Sequence, residues 1–427
     1  MNITDAVQSI SRGDHDETLR KLYPSFDADP EKYKRRLCAL LETYRECFSD
    51  PADIHLFSAP GRIEVGGNHT DHQHGNVLAA SIDRDMIAAA ALNGTNLIRL
   101  HSVGYGGLEI SLDDLEPHED EKETTASLVR GVAAGIRKAG FDVRGFDVCV
   151  TSDVPGGSGI SSSAAFEVLI GAVLNGLFCG NQQSPVTLAK IGQFAEQHYF
   201  GKPSGLMDQT ASAVGGFVAI DFKDTTAPVI RAISPEKLAK HYSIFVIDTG
   251  SAHADLSNVY AGIPTEMRRV AAFFGKEVLR DVDEQEFWAS IGRARKKTGD
   301  RAILRAIHFF EENQRAVDQA SALEAGDLDG FLELIKASAN SSFIHLQNVI
   351  ISGQKEQQAV AYSLAIAERA LNGRGAVRVH GGGFAGTILA FVPVDMADSF
   401  RDEVEAQLFP GACTRMAIRP VGCAQVF

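Results

Sequence analysis

The sequence predicts an α+β protein of two domains, and three observations carry that reading. At 427 residues the chain is longer than one hydrophobic core commonly serves. In its first half, short alternating runs of strand character are interleaved with runs of helical period. In its second half helical period prevails from about residue 258 to residue 371, and strand-like runs then return. The expected partition is an N-terminal mixed α/β domain over 1–205 and a C-terminal, helix-rich α+β domain over 206–427.

Residues 1–50 are polar with helical spacing, and Leu37-Cys-Ala-Leu-Leu-Glu-Thr-Tyr supplies one apolar face. Strands are expected at His55–Ala59, Met86–Asn93 and Leu97–His101. The segment Pro117–Thr125 carries acidic residues without large apolar ones, so it reads as a solvated loop before a helix over Ala126–Ala139. Phe146-Asp-Val-Cys-Val-Thr reads as a strand. Helices follow at Ser161–Leu177 and Pro185–Phe200. Gly216-Phe-Val-Ala-Ile-Asp-Phe and Tyr242-Ser-Ile-Phe-Val-Ile-Asp alternate like strands. The long helical stretch breaks near Gly299, Gly326 and Gly353. Strands at Val377–His380, Thr387–Val392 and Arg415–Pro420 close the chain, with a helix over Met396–Leu408 between the last two.

Composition excludes several classes. The net charge is −14, from 41 basic and 55 acidic residues, and no basic run interleaves with aromatics, so no nucleic-acid partner is expected. No stretch reaches the ~18 consecutive apolar residues of a membrane span, and the N-terminus lacks the pattern of a signal peptide. A cytoplasmic protein, monomeric or weakly dimeric, is the expectation. The six cysteines show no C-x-x-C spacing and read as reduced residues, several of them in the core.

The segments that carry chemistry lie far apart. Pro155-Gly-Gly-Ser-Gly-Ile-Ser-Ser-Ser-Ala-Ala sits between a strand and a helix. A Gly-rich turn there aims free amides at one spot, and the helix dipole adds positive charge. Gly156, Gly157, Ser158, Gly159, Ile160, Ser161, Ser162 and Ser163 are therefore candidates for phosphate binding; a tight turn with a Ser cap is the alternative. Gly61-Arg-Ile-Glu-Val-Gly-Gly-Asn-His-Thr-Asp-His-Gln-His mixes glycines with polar side chains. Asp71 there could accept from two neighbouring sugar hydroxyls, and Arg62 could steady a transferring phosphoryl group. The same stretch could hold a metal through His69, Asp71, His72 and His74, or be a plain surface turn. Asp208 follows a Pro-Ser-Gly turn at a helix start, where it is either a first-turn acid or a proton acceptor. Glu196, twelve residues earlier at a helix end, could hold Mg²⁺. His380-Gly-Gly-Gly-Phe-Ala-Gly allows close backbone approach, or simply a tight hairpin.

Taken in order, these segments resemble the GHMP small-molecule kinases, and the galactokinase family most closely. Gly61-Arg-Ile-Glu-Val-Gly-Gly-Asn-His-Thr-Asp looks like that family's sugar signature. Pro155-Gly-Gly-Ser-Gly-Ile-Ser-Ser-Ser-Ala is similar to its phosphate loop, and Gly205-Leu-Met-Asp-Gln to its catalytic-aspartate segment. His380-Gly-Gly-Gly-Phe-Ala-Gly and Arg419-Pro-Val-Gly-Cys-Ala resemble its C-terminal motifs. The resemblance implies a two-domain GHMP-kinase-like fold with the site in the cleft between domains. It implies ATP-dependent phosphorylation of the anomeric hydroxyl of a hexose, most simply D-galactose. Asp208 would be the base or positioner and Arg62 its partner. Asn68, His69, Asp71, Gly205 and Tyr260 would face the sugar, and Ser163 and Glu196 would hold Mg²⁺. One departure stands out: galactokinases usually carry a Glu, which contacts the sugar's C6 hydroxyl, where this chain has Asn68. That leaves N-acetylgalactosamine, L-arabinose and galacturonate open as substrates. A non-catalytic sugar and nucleotide sensor is the reading from another class.

Overall fold

The computed structural model describes residues 1–154, 160–202, 204–251 and 257–427, the side chains of residues 257 and 258 excepted. Three helices open the chain: α1 (Ile3–Arg12), α2 (Asp16–Leu22) and α3 (Pro30–Cys47). Side chains cap two of them, Asn2 on the Asp5 N–H and Asp29 on the Lys32 N–H, the latter with Pro at the first helical position.

A long antiparallel pair follows, β1 (His55–Gly66) and β2 (Asn76–Leu92). Both exceed their sequence-based bounds. Pro60 and Gly61 interrupt the alternation of β1 without ending it, because the register shifts between Pro60 and Arg62 and again between Glu64 and Gly66. Gly61 also meets a steric demand, since a Cβ there would lie 3.2 Å from the Ile160 carbonyl oxygen. The hairpin β3 (Leu97–Ser102) and β4 (Gly106–Ser111) leads to α4 (Thr125–Lys138) and β5 (Phe146–Ser152). Then come α5 (Ser162–Phe178), α6 (Pro185–Ala195), one π-helical turn over Glu196–Phe200, and α7 (Met207–Val214).

The remainder is β6 (Phe217–Asp221), β7 (Val229–Ile233), α8 (Glu236–Ala239), β8 (Tyr242–Asp248), α9 (Ser257–Phe273), α10 (Glu284–Thr298), α11 (Asp300–Ala325), α12 (Leu328–Ser341), α13 (Ala359–Leu371), β9 (Ala376–Val379), β10 (Thr387–Pro393), α14 (Ala397–Gln407), β11 (Cys413–Met416) and β12 (Ala424–Gln425). Gly299 and Gly326 end α10 and α11, as the sequence predicts.

Among the described residues the strands form two sheets. The larger runs β12-β1-β2-β5-β3-β4, with β6 and β7 continuing from β2; the smaller runs β11-β8-β10-β9. The larger sheet is covered on both faces, which explains its unbroken apolar runs. Ile87 and Ala89 of β2 pack with Leu37, Leu41 and Tyr44 of α3, while Ala88 and Ala90 face the core built by α4 to α7. The chain beyond residue 205 is shared between both sheets: β6, β7 and β12 join the first, and β8 to β11 make the second. Among the described residues no helix is long and apolar enough to cross a membrane. All six cysteines are free; Cys149, Cys179 and Cys413 are buried and Cys47 is exposed.

Candidate active site

Strand β1 sets the geometry of the site. Its alternation sends Ile63 and Val65 into the core and puts Arg62 and Glu64 on the opposite face. The Arg62 N–H donates to the Ile160 carbonyl at 3.3 Å, tying the strand to the segment before α5. The Arg62 guanidinium then grips Asp208, in the first turn of α7, with Nε and Nη2 each 2.6 Å from a carboxylate oxygen. The two residues are 146 positions apart in the chain. Ser161 joins them: its hydroxyl donates to Asp208 and accepts from Arg62 Nη2 at 3.1 Å. Ser161 holds φ at 55° with no capping bond to α5, so its hydroxyl serves the carboxylate and not the helix. Burial opposes charge on Asp208, but the Arg62 guanidinium and the Ser161 hydroxyl outweigh it and hold the carboxyl below its ordinary 3.8. Arg62 is raised in turn: burial works against its charge, and Asp208 overcomes it.

The loop after β1 supplies a second group. Asp71 opens a short 3-10 turn and lies against Gly205, where a Cβ would come within 3.0 Å of its Oδ2. His69 is buried, with Nε2 3.1 Å from the Gly382 carbonyl. Burial, with His72 beside it, lowers its pKa to about 3, so the ring is neutral. The Tyr260 ring of α9 packs at a tilt of 49° against His69, with centroids 5.0 Å apart, and its hydroxyl meets His72 Nε2 at 3.2 Å. The glycine segment after β9 makes this packing possible: a Cβ on Gly382 would lie 2.5 Å from the Tyr260 ring. These side chains and Arg62, Glu64 and Asp208 line one cavity of about 530 Å³, which Lys202 and Arg268 complete.

A third group lies at the start of α5. Ser163 Oγ is 3.4 Å from Glu196 Oε1. Lys202 Nζ sits 2.8 Å from the same oxygen, and Gln209 Nε2 donates to Glu196 Oε2 at 2.8 Å. Glu196 stands where α6 widens into its π turn, which swings a buried carboxylate toward α5 and α7. Of the phosphate-binding candidates, Ile160, Ser161, Ser162 and Ser163 are described; Gly156, Gly157, Ser158 and Gly159 lie outside the described residues.

Two expectations change. Asn68 does not face the cleft. It is fully buried, its Nδ2 donates to Glu64 Oε1 at 2.8 Å and to the Gly381 carbonyl at 2.7 Å, and its Oδ1 accepts from Asn348 at 2.8 Å. With its amide so engaged, it braces the wall of the cavity. The alternative metal site at His69, Asp71, His72 and His74 also falls away. Among the described residues no group of three or more His, Cys, Asp or Glu side chains is arranged to hold a metal.

Sequence reasoning missed Glu64, Lys202 and Arg268 in the cavity, and Arg378 and His380 behind it. The signal for Glu64 was present: it stands two residues from Arg62 on one strand, so both side chains share a face. Arg378 of β9 donates to the Val65 carbonyl at 2.5 Å and to Glu64 Oε1 at 3.0 Å, bridging the two sheets. The Glu64 N–H donates to His380 Nε2 at 3.1 Å. That bond places the ring proton on Nδ1, 2.9 Å from Thr387 Oγ1. Burial and the Arg62 charge lower His380 to about 3, consistent with a neutral ring.

A cavity that brings an Arg on a strand and an Asp on a helix beside polar side chains of the loop after β1 is suited to a small-molecule kinase, and the comparisons agree. The family profile described as the GHMP kinases N terminal domain matches residues 127–216, and that of the galactokinase galactose-binding signature matches residues 42–92. A galactokinase from Streptomyces coelicolor is 30% identical over 372 residues, covering 85% of this chain and 91% of that protein. One from Glaesserella parasuis is 31% identical over 352 residues, covering 80% and 86%. The crystal structure of Lactococcus lactis galactokinase complexed with galactose superposes with a TM-score of 0.77 at 27% identity, over 91% of this chain and 99% of that one. The protein is a GHMP-type sugar kinase. Within that class the chain belongs to the galactokinase family.

Proposed function

We propose that this kinase transfers the γ-phosphoryl group of ATP to the anomeric hydroxyl of D-galactose. The observation that carries the reading is the overlap of two things in one cavity. The region matching the galactose-binding signature contributes His69 and Asp71, and the Arg62–Asp208 pair stands beside them. Asp71 accepts from vicinal hydroxyls of the sugar, Gly205 leaves that carboxylate its room, and His69 and Tyr260 form an apolar wall. Asp208 orients the anomeric hydroxyl and takes its proton late, when the phosphoryl group has largely left ADP. Arg62 keeps Asp208 ionised and balances charge on the transferring group. The amides of Gly156 to Ser162 and the dipole of α5 receive the phosphates.

Ser163 Oγ and the Glu196 carboxylate are hard oxygen donors close together, which fits Mg²⁺. Bound there, the ion would offset the charge of the ATP phosphates. Lys202, already on Glu196, places a further cation beside them.

The direct test is ADP release from Mg-ATP over galactose, N-acetylgalactosamine, L-arabinose, galacturonate and glucose. Galactose is expected to give the highest kcat/KM. A higher value for another sugar reassigns the substrate, and no turnover on any of them overturns the reading. In the same assay Arg62→Ala is expected to lower kcat by about a hundredfold while moving the sugar KM little, as for a group that acts in the transition state. An effect confined to KM would remove Arg62 from that role.

A further inference from the structure

Beyond Asp71 and Asp208 the cavity contains a third carboxylate that nothing so far has used. Glu64 is 6% exposed and lies on the cavity face of β1 beside Arg62. Its two oxygens differ. Oε1 accepts from Arg378 Nη2 at 3.0 Å and from Asn68 Nδ2 at 2.8 Å. Oε2 makes no hydrogen bond to the described residues. The side chain cannot turn to exchange the two without breaking both inner bonds, and fully buried Arg378 has a neutral carbonyl as its other partner across the sheets. The result is a carboxyl group anchored at one oxygen, with the other on the wall of the sugar cavity; burial pushes it up to about 7 against the pull of Arg378 and Asn68, so above that pH it is ionised and its outer oxygen is an acceptor.

We infer that Glu64 is a specificity-determining residue, whose outer oxygen accepts a hydrogen bond from one hydroxyl of the bound sugar. The inference rests on the reading of this cavity as the sugar site. It explains how a chain with Asn68 in its signature keeps a carboxylate acceptor in the pocket. The acid has moved to position 64, and Asn68 has become its brace. The chemistry that suits such an acceptor is a neutral sugar presenting a hydroxyl. A sugar carboxylate at that point would set anion against anion.

Glu64→Gln tests this with little disturbance to the wall. Arg378 and Asn68 both donate, so the amide must turn its oxygen inward to keep them. Its NH2 then faces the cavity, and an acceptor becomes a donor. We expect the sugar KM to rise by about ten- to a hundredfold with kcat within a few-fold of the parent, the size of one lost hydrogen bond to a charged group. The decisive readout is a cycle of enzyme and substrate changes, using parent and Glu64→Gln enzymes on galactose and its 2-, 3-, 4- and 6-deoxy forms. One deoxy sugar should be insensitive to the substitution, because the hydroxyl that Glu64 reads is already gone. The other three should lose the same factor as galactose. If all five sugars lose the same factor, or none loses any, while the melting temperature holds, Glu64 reads no hydroxyl and the inference fails. An inactive parent enzyme on every sugar would instead overturn the functional reading itself.

Discussion

Asp208→Asn is expected to lower kcat by about a thousandfold, within the range lost when a positioned proton acceptor is removed. The structure gives two reasons for an effect this large. A carboxylate offers two acceptors, and both are engaged by Arg62 at 2.6 Å. An amide offers one, so its NH2 would confront either the guanidinium or the Ser161 hydroxyl, donor against donor. The substitution therefore removes the proton acceptor and displaces the cation that accompanies it. Sugar affinity should change far less, because the proposed sugar contacts, Asp71, His69 and Tyr260, stand on other elements. Single-turnover ADP release together with equilibrium sugar binding separates the two effects. A kcat within a few-fold of the parent would remove Asp208 from the chemistry.

The same geometry has a consequence for pH. With its folded pKa below 3.8, Asp208 is ionised throughout the neutral range and contributes no acid limb to turnover there. Because the folded value is depressed, its contribution to stability is present above pH 3.8 and is lost as pH falls through the folded pKa. So low a basicity would be a handicap in a reaction that needs early proton removal. It suits phosphoryl transfer through a loose transition state, where the nucleophile keeps its proton until late.

Much of the fold was legible because period and punctuation agree. Gly299 and Gly326 end helices, and Tyr242–Asp248 alternates and is a strand. The failures share a cause. The sequence predicts an end to β1 at Ala59 because Pro60 and Gly61 normally stop a strand, and only the paired strand shows that two register shifts absorb them. That error hid the shared face of Arg62 and Glu64. Asn68 differs from its sequence-based placement for a related reason. Its position in the signature says nothing of direction, and its side chain is drawn inward by Glu64, Gly381 and Asn348, two of them more than 270 residues away in sequence. Motifs locate the backbone of a site; long-range hydrogen bonds decide which side chains look into it.

The second large effect concerns stability. Arg419→Ala is expected to destabilise the protein by about 3–5 kcal/mol, the cost of leaving a buried charge without its partner. Arg419 is fully buried in the closing segment. Its guanidinium donates to Asp85 Oδ2 at 3.1 Å, to Ser58 Oγ at 2.6 Å, and to the Val421 and Gly422 carbonyls at 2.7 and 2.8 Å. Asp85, on β2, is fully buried as well, and also receives Arg36 of α3 and the Tyr23 hydroxyl. Burial alone would raise the Asp85 carboxyl; Arg36 and Arg419 together hold it below its ordinary value. With Arg419 gone, one cation remains, two carbonyls lose their donor, and the joint between the N-terminal helices, the large sheet and the C-terminus loosens. Gly422 fits so closely that a Cβ there would meet the Ala213 carbonyl oxygen of α7 at 2.0 Å. Loosening this segment therefore reaches the helix that carries Asp208. We expect a lower midpoint in chemical denaturation and a smaller, secondary fall in kcat. A stability change below about 1 kcal/mol would mean that Arg36, Tyr23 and Ser58 suffice for Asp85, and that Arg419 acts only as a local clasp on residues 421 and 422.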